Sequence, residues 1–153
     1  MQFVSELAAA AAASAGVSDY HVRLAVEESH LINLLKDQEG IVVCGNVPGA
    51  EVQQRQSYTD SRGQCLLMVL QKMPRDEQGM DAETDRYARL QRLMAAIVTL
   101  LTEGLGQFCD RMTLTADPLR VEWEYNAYGG FNGLSLSFYL HDNGGADIAG
   151  DEP

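Results

Sequence analysis

Glu122 and Glu124 stand two positions apart in an alternating run, Leu119 to Tyr125, that reads as a β-strand. A strand projects residues i and i+2 from one face, about 7 Å apart. Two carboxylates near that separation can serve as acid and base in glycoside hydrolysis. The opposite phase carries Val121, Trp123 and Tyr125, the natural core side. On that reading the glutamates belong to a wet face with Arg120 and Asn126, as solvated or interface charges. The apolar phase favours this second reading, and the hydrolase reading requires a cleft around the pair.

Arg86, Arg89 and Arg92 form a basic row at i, i+3 and i+6 of an amphipathic segment. Such a row can grip an acidic partner or lie as solvated helix surface, with Glu83 and Asp85 placed for local ion pairs. His21, His30 and His141 are scattered, and no second ligand stands at metal spacing beside them. Cys44, Cys65 and Cys109 show no CxxC or Cys/His pattern, so they read as buried thiols of a reducing compartment. A nucleophilic role for Cys44 or Cys65 requires a histidine close in space.

Two glycine-rich runs, Gly45 to Gly49 and Gly129 to Gly133, are not nucleotide loops. The first lacks the P-loop lysine and hydroxyl residue, and the second joins two strands instead of opening a helix. Tyr128 and Phe131, expected at the tip of the second, are candidate protein-contact residues, together with the arginine row.

These side chains need elements to hold them. Gln2 to Ala15 reads as an alanine-rich helix stopped by Gly16. Tyr20 to Val26 alternates as a half-buried strand, with Tyr20, Val22, Leu24 and Val26 on one face. Ser29 suits an N-cap for a short helix from His30 to about Asp37. Ile41 to Cys44 is a short apolar strand, Glu51 to Thr59 an edge strand or loop, and Asp60 to Gly63 carries turn chemistry. Cys65 to Leu70 is apolar on both alternations, as a central strand covered on both faces is. A loop from Met73 to Met80 leads to a long helix from Asp81 to about Gly104. Its buried stripe is Tyr87, Leu90, Met94, Ile97 and Leu101. Met112 to Thr115 is a candidate strand, and Leu134 to Leu140 pairs with the glutamate-bearing strand through a long connection, Asn126 to Gly133.

With 153 residues, 46% hydrophobic, the chain has the length of one domain with a sizeable core. A net charge of −11 argues against nucleic acid or an anionic membrane as the primary partner. Leu7 to Ala13 lacks the basic flank of a secretory signal, and no apolar run reaches spanning length. The expectation is a single α+β domain over residues 1–141, with a mobile acidic tail over residues 142–153. Its sheet is mainly antiparallel, of about five to six strands, with one long helix packed across it and an N-terminal helix.

This order of elements, closing on Tyr125-Asn126 and Gly133-Leu-Ser-Leu-Ser-Phe138, resembles the small α+β tail-completion, tail-terminator and neck proteins of tailed bacteriophages and prophages. The resemblance spans roughly Tyr20 to His141. It implies a ring of identical subunits at a head–tail or tail junction, without catalysis or cofactor. Its partners would be its own copies and neighbouring tail or head–tail proteins. It would be cytoplasmic during assembly and then part of the virion. A small monomeric or dimeric adaptor module working through Tyr128 and Phe131 or the arginine row is the alternative, and a hydrolase using Glu122 and Glu124 the third reading.

Overall fold

The computed structural model describes residues 2–25, 27–46, 50–54, 59–73, 79–108, 112–114 and 118–142. The expected loop centre at Pro74 to Gln78, the Asp117 turn, Cys109 and nearly all of the acidic tail lie outside the described residues. The elements in order are α1 (Gln2–Ala15), β1 (Tyr20–Ala25), α2 (Glu28–Leu35), β2 (Ile41–Asn46), β3 (Ala50–Gln54), β4 (Thr59–Lys72), α3 (Met80–Phe108), β5 (Met112–Leu114), β6 (Arg120–Ala127) and β7 (Phe131–Asp142).

This is an α+β fold, as expected. Five strands follow one path, β1-β2-β4-β7-β5, with β3 beside β4 and β6 beside β7 to make seven in all. Every pairing is antiparallel except β1 with β2. A parallel pair needs a crossover, and α2 supplies it. The centre of the sheet is β4 against β7, in register from Ser61↔Asp142 to Lys72↔Phe131.

The double alternation in β4 is used on both faces. Cys65, Leu67 and Val69 face a core shared with Leu134, Leu136, Phe138 and Leu140 of β7 and with α1 and α3. Met68 and Leu70 face a smaller core formed with Val42, Cys44, Leu31, Leu35 and Phe131. The long helix buries Leu90, Leu93, Met94, Ile97 and Leu101. It continues past its expected end, because Gly104 (φ −137°, ψ 18°) kinks the helix without stopping it. The alanine run of α1 packs within its own chain: Leu7, Ala8, Ala11 and Ala12 are buried in the α3-side core. Small side chains let the two helices approach closely. Gly16, at φ +72°, closes α1 with bonds from Gly16 N to Ala13 O and from Val17 N to Ala12 O, the Schellman arrangement.

Three local expectations are corrected. Asp60 to Gly63 is not a turn but the first part of β4, paired with β3 on one side and with β7 on the other. Ladder bonds from two neighbours outweigh local turn preference. The short helix begins at Glu28, after Glu27 at its cap position, rather than after Ser29. The long connection Asn126 to Gly133 is mostly strand, since Ala127 already pairs with Phe131. The reversal is confined to Tyr128, Gly129 and Gly130. Positive φ at Asn126 and across the turn, together with a register shift between Glu124 and Ala127, makes it this tight.

Gly133 shows how closely the central strands approach. A Cβ built there would overlap the Val69 carbonyl oxygen of β4. Gly133→Ala is expected to lower stability by about 3 kcal/mol in urea unfolding. Gly79→Ala, where the space is open but the residue caps α3 through the bond from Glu83 N to its carbonyl, is expected to cost about 1 kcal/mol at most, well below Gly133→Ala.

Candidate functional site

The most unusual surface of the described residues is on β6. Val121, Trp123 and Tyr125 are 45%, 53% and 82% exposed. The phase read from the sequence is correct: Val121 opposes Leu136 and Trp123 opposes Leu134, so the row lies on the same face as the α3-side core. Its burial is not as expected. The helix packs over β4, β7 and β5, and β6 lies outside that cover at the rim of the sheet. The helix touches the row through Tyr87, whose ring meets Trp123 edge-on at 5.3 Å and 76°.

A short polar chain fixes that contact. Tyr87 donates its hydroxyl proton to Glu83 Oε1 at 2.8 Å, and Asn132 Nδ2 donates to Tyr87 Oη at 3.4 Å. Asn132 Oδ1 in turn accepts from the Asn126 backbone N–H at 2.7 Å. The bond to Glu83 holds the phenol proton and raises the Tyr87 pKa, with desolvation adding to it. Asn132 is 4% exposed, so it links the strained turn to α3 from inside the protein.

Glu122 and Glu124 leave the other face of β6, as the alternation requires. Glu122 is exposed, while Glu124 is half-buried and accepts a 2.7 Å bond from Ser135 Oγ. Three hollows among the described residues, of about 210, 560 and 380 Å³, are lined by other residues. Acid–base hydrolysis requires a cleft around the pair, and none of these three hollows is lined by either carboxylate.

The residues expected to form a contact loop and a basic row do not come together at a surface. Phe131 is fully buried beneath α2, because it is the first residue of β7 and faces the smaller core. Tyr128 is half-buried against the same cluster, with its hydroxyl 3.6 Å from Met68 Sδ. Arg86 is 4% exposed and is not free, while Arg89 and Arg92 are exposed. The reason is the helical period: Arg86 stands four before Leu90 and so falls in the buried stripe. His21 lies 4.0 Å from Asp19. Among the described residues no three His, Cys, Asp or Glu side chains converge as a metal site requires, and no helix is long and apolar enough to cross a membrane.

Sequence reasoning missed the Val121, Trp123 and Tyr125 row as a surface. Alternation reports the phase of a strand but not its position in the sheet, and no local signal places β6 at the rim. Comparison with known proteins gives no family: no family model matches the chain, and no curated protein matches it.

Two predictions follow from this geometry. Asn132→Ala removes the acceptor of the Asn126 N–H and the donor to Tyr87 from inside the protein, and should cost about 1 kcal/mol, with altered Trp123 fluorescence. Burial pushes Cys44 up to about 12 and Cys65 up to about 11, from an ordinary value of 9.0. The folded protein then binds more protons than the unfolded chain above pH 9, so these thiols make stability fall as pH rises from about 9 towards 11. In a Cys109→Ser background, both thiols should react with a disulfide reagent at pH 8 no faster than the protein unfolds. Rapid stoichiometric labelling would contradict their burial.

Proposed function

We propose that this chain is a structural virion-assembly protein, of the tail-completion, tail-terminator or neck kind, that works by associating with further copies of itself in a ring. The observation that carries this reading is the Val121, Trp123 and Tyr125 row on a strand at the rim of the sheet. An exposed apolar edge strand is a ready template for another chain, and proteins that function alone usually blunt such edges with charge, proline or cover. The order of elements noted above supports the phage and prophage setting: cytoplasmic during assembly, then part of the virion. Neighbouring tail or head–tail proteins are the further partners on this reading. The buried Phe131 and Arg86 take away much of what an adaptor built on the turn or the arginine row would use.

Light scattering with negative-stain imaging tests the reading. The expected result is a closed ring whose mass is a whole multiple of 16.8 kDa. Trp123→Ser combined with Tyr125→Ser should lower that mass while circular dichroism stays unchanged. A wild-type protein that remains at 16.8 kDa at every concentration and salt level, with no rings in the images, would sink self-association.

A further inference from the structure

We infer that the copies join edge to edge, with β1 of one chain pairing antiparallel with β6 of the next so that the sheet runs on across the boundary. This inference rests on the self-association reading and names its contact.

Direction, face and charge all agree. β1 runs parallel to β2, and β4, β7 and β6 then alternate, so β6 runs antiparallel to β1. A second copy set beside the first in the same orientation therefore brings its β6 antiparallel to the first copy's β1. The two strands form opposite rims of the sheet in its β1-β2-β4-β7-β6 half. On β1, Tyr20, Val22 and Leu24 pack at the α3-side core, while His21 and Arg23 leave the other face. On β6, Val121, Trp123 and Tyr125 lie on the α3 side, while Glu122 and Glu124 leave the other. With the two sheets continuous, one register sets Leu24 against Val121, Val22 against Trp123, Arg23 against Glu122, and His21 against Glu124. Apolar residues meet apolar ones on one face, and basic residues meet acidic ones on the other.

Two-fold pairings match less fully. β6 on β6 either sets Glu122 against Glu124, or matches Arg120 with Glu124 and leaves Glu122 facing Glu122, or matches Arg120 with Glu122 at the cost of shortening the overlap to the start of the strand. β1 on β1 sets His21 against Arg23 with no acidic residue of the strand to meet either. A contact between two different edges is heterologous and closes into a ring when its rotation allows. In the separate chain Arg23 Nη1 donates to its neighbour's carbonyl, Val22 O, at 2.9 Å. Reaching across to Glu122 exchanges that bond for a charge-assisted one.

Charge reversal and cross-linking test the contact in the full chain. Arg23→Glu alone, or Glu122→Arg alone, should raise the concentration needed for assembly about tenfold. The double variant Arg23→Glu with Glu122→Arg should restore it, with circular dichroism confirming the fold throughout. Separately, Arg23→Cys with Glu122→Cys in a Cys109→Ser background should form a ladder of disulfide-linked multimers on mild oxidation. Directly opposed residues of an antiparallel pair stand about 4.5–5.5 Å apart at Cα, within disulfide reach. Within one chain the two positions are separated by four strand spacings, about 19 Å, so no internal bond can form. Either cysteine alone should give dimers at most. Rings that persist in both single charge variants, with no ladder from the cysteine pair, would overturn this contact and leave self-association standing. A wild type that stays at 16.8 kDa, with no ladder, would remove both.

Discussion

The fold depends on one antiparallel pairing, β4 against β7, held in register over twelve residue pairs. Both strands contribute apolar side chains to the α3-side core, and Met68 and Leu70 of β4 meet Phe131 of β7 in the core beneath α2. A strand that is apolar on both alternations has no stable place at a surface. It must be central and must have cover above and below. The long amphipathic helix supplies one cover and the short crossover helix the other. The close approach at Gly133, where a side chain would meet backbone, belongs to the same constraint: the two strands must approach across their full length for both faces to stay dry.

The cover is uneven, and that unevenness defines the surface. Two helices, α1 and α3, share one face with a continuous core that reaches from β1 to the far end of β7. The long helix packs over β4, β7 and β5, and among the described residues its ring contact with β6 is made by Tyr87. The chain Glu83, Tyr87, Asn132 and the Asn126 N–H then has a clear physical role. It anchors a turn with positive φ at non-glycine positions to the start of α3, and so holds β6 in place although no helix covers it. The row of Val121, Trp123 and Tyr125 is thus presented at the rim, with Trp123 held against Tyr87.

Much of this was legible in the sequence, and the limits have physical causes. The two-faced strand from Cys65 to Leu70, the helix stripe from Leu90 to Leu101, and the alanine helix with its glycine stop were read from local periodicity, which packing then used as written. The phases of β1 and β6 were also correct. Asp60 to Gly63 was misread because ladder partners far along the chain decide whether a polar stretch is strand or turn. Phe131 and Arg86 were misplaced for local reasons: one begins a strand that faces the smaller core, and the other, four before Leu90, falls in the buried stripe of the helix. The exposed row on β6 was not legible at all, because its exposure depends on the order of strands and on where a helix ends its cover.

The partner of the central strand is also the last described strand of the chain. β4 is complete at Lys72, and β7 begins only at Phe131, after α3, β5 and β6. During synthesis, the uncharged run from Cys65 to Leu70 therefore leaves the ribosome well before the strand that covers its long edge. Six apolar residues with strong strand preference, paired with β2 on one edge and open on the other, are the kind of segment that pairs with the wrong chain. Loop closure across the intervening residues also makes this pairing slow relative to helix formation. Newborn copies translated close together on one message are at greatest risk in that interval, and the open time of β4 sets how densely the protein can be produced without loss.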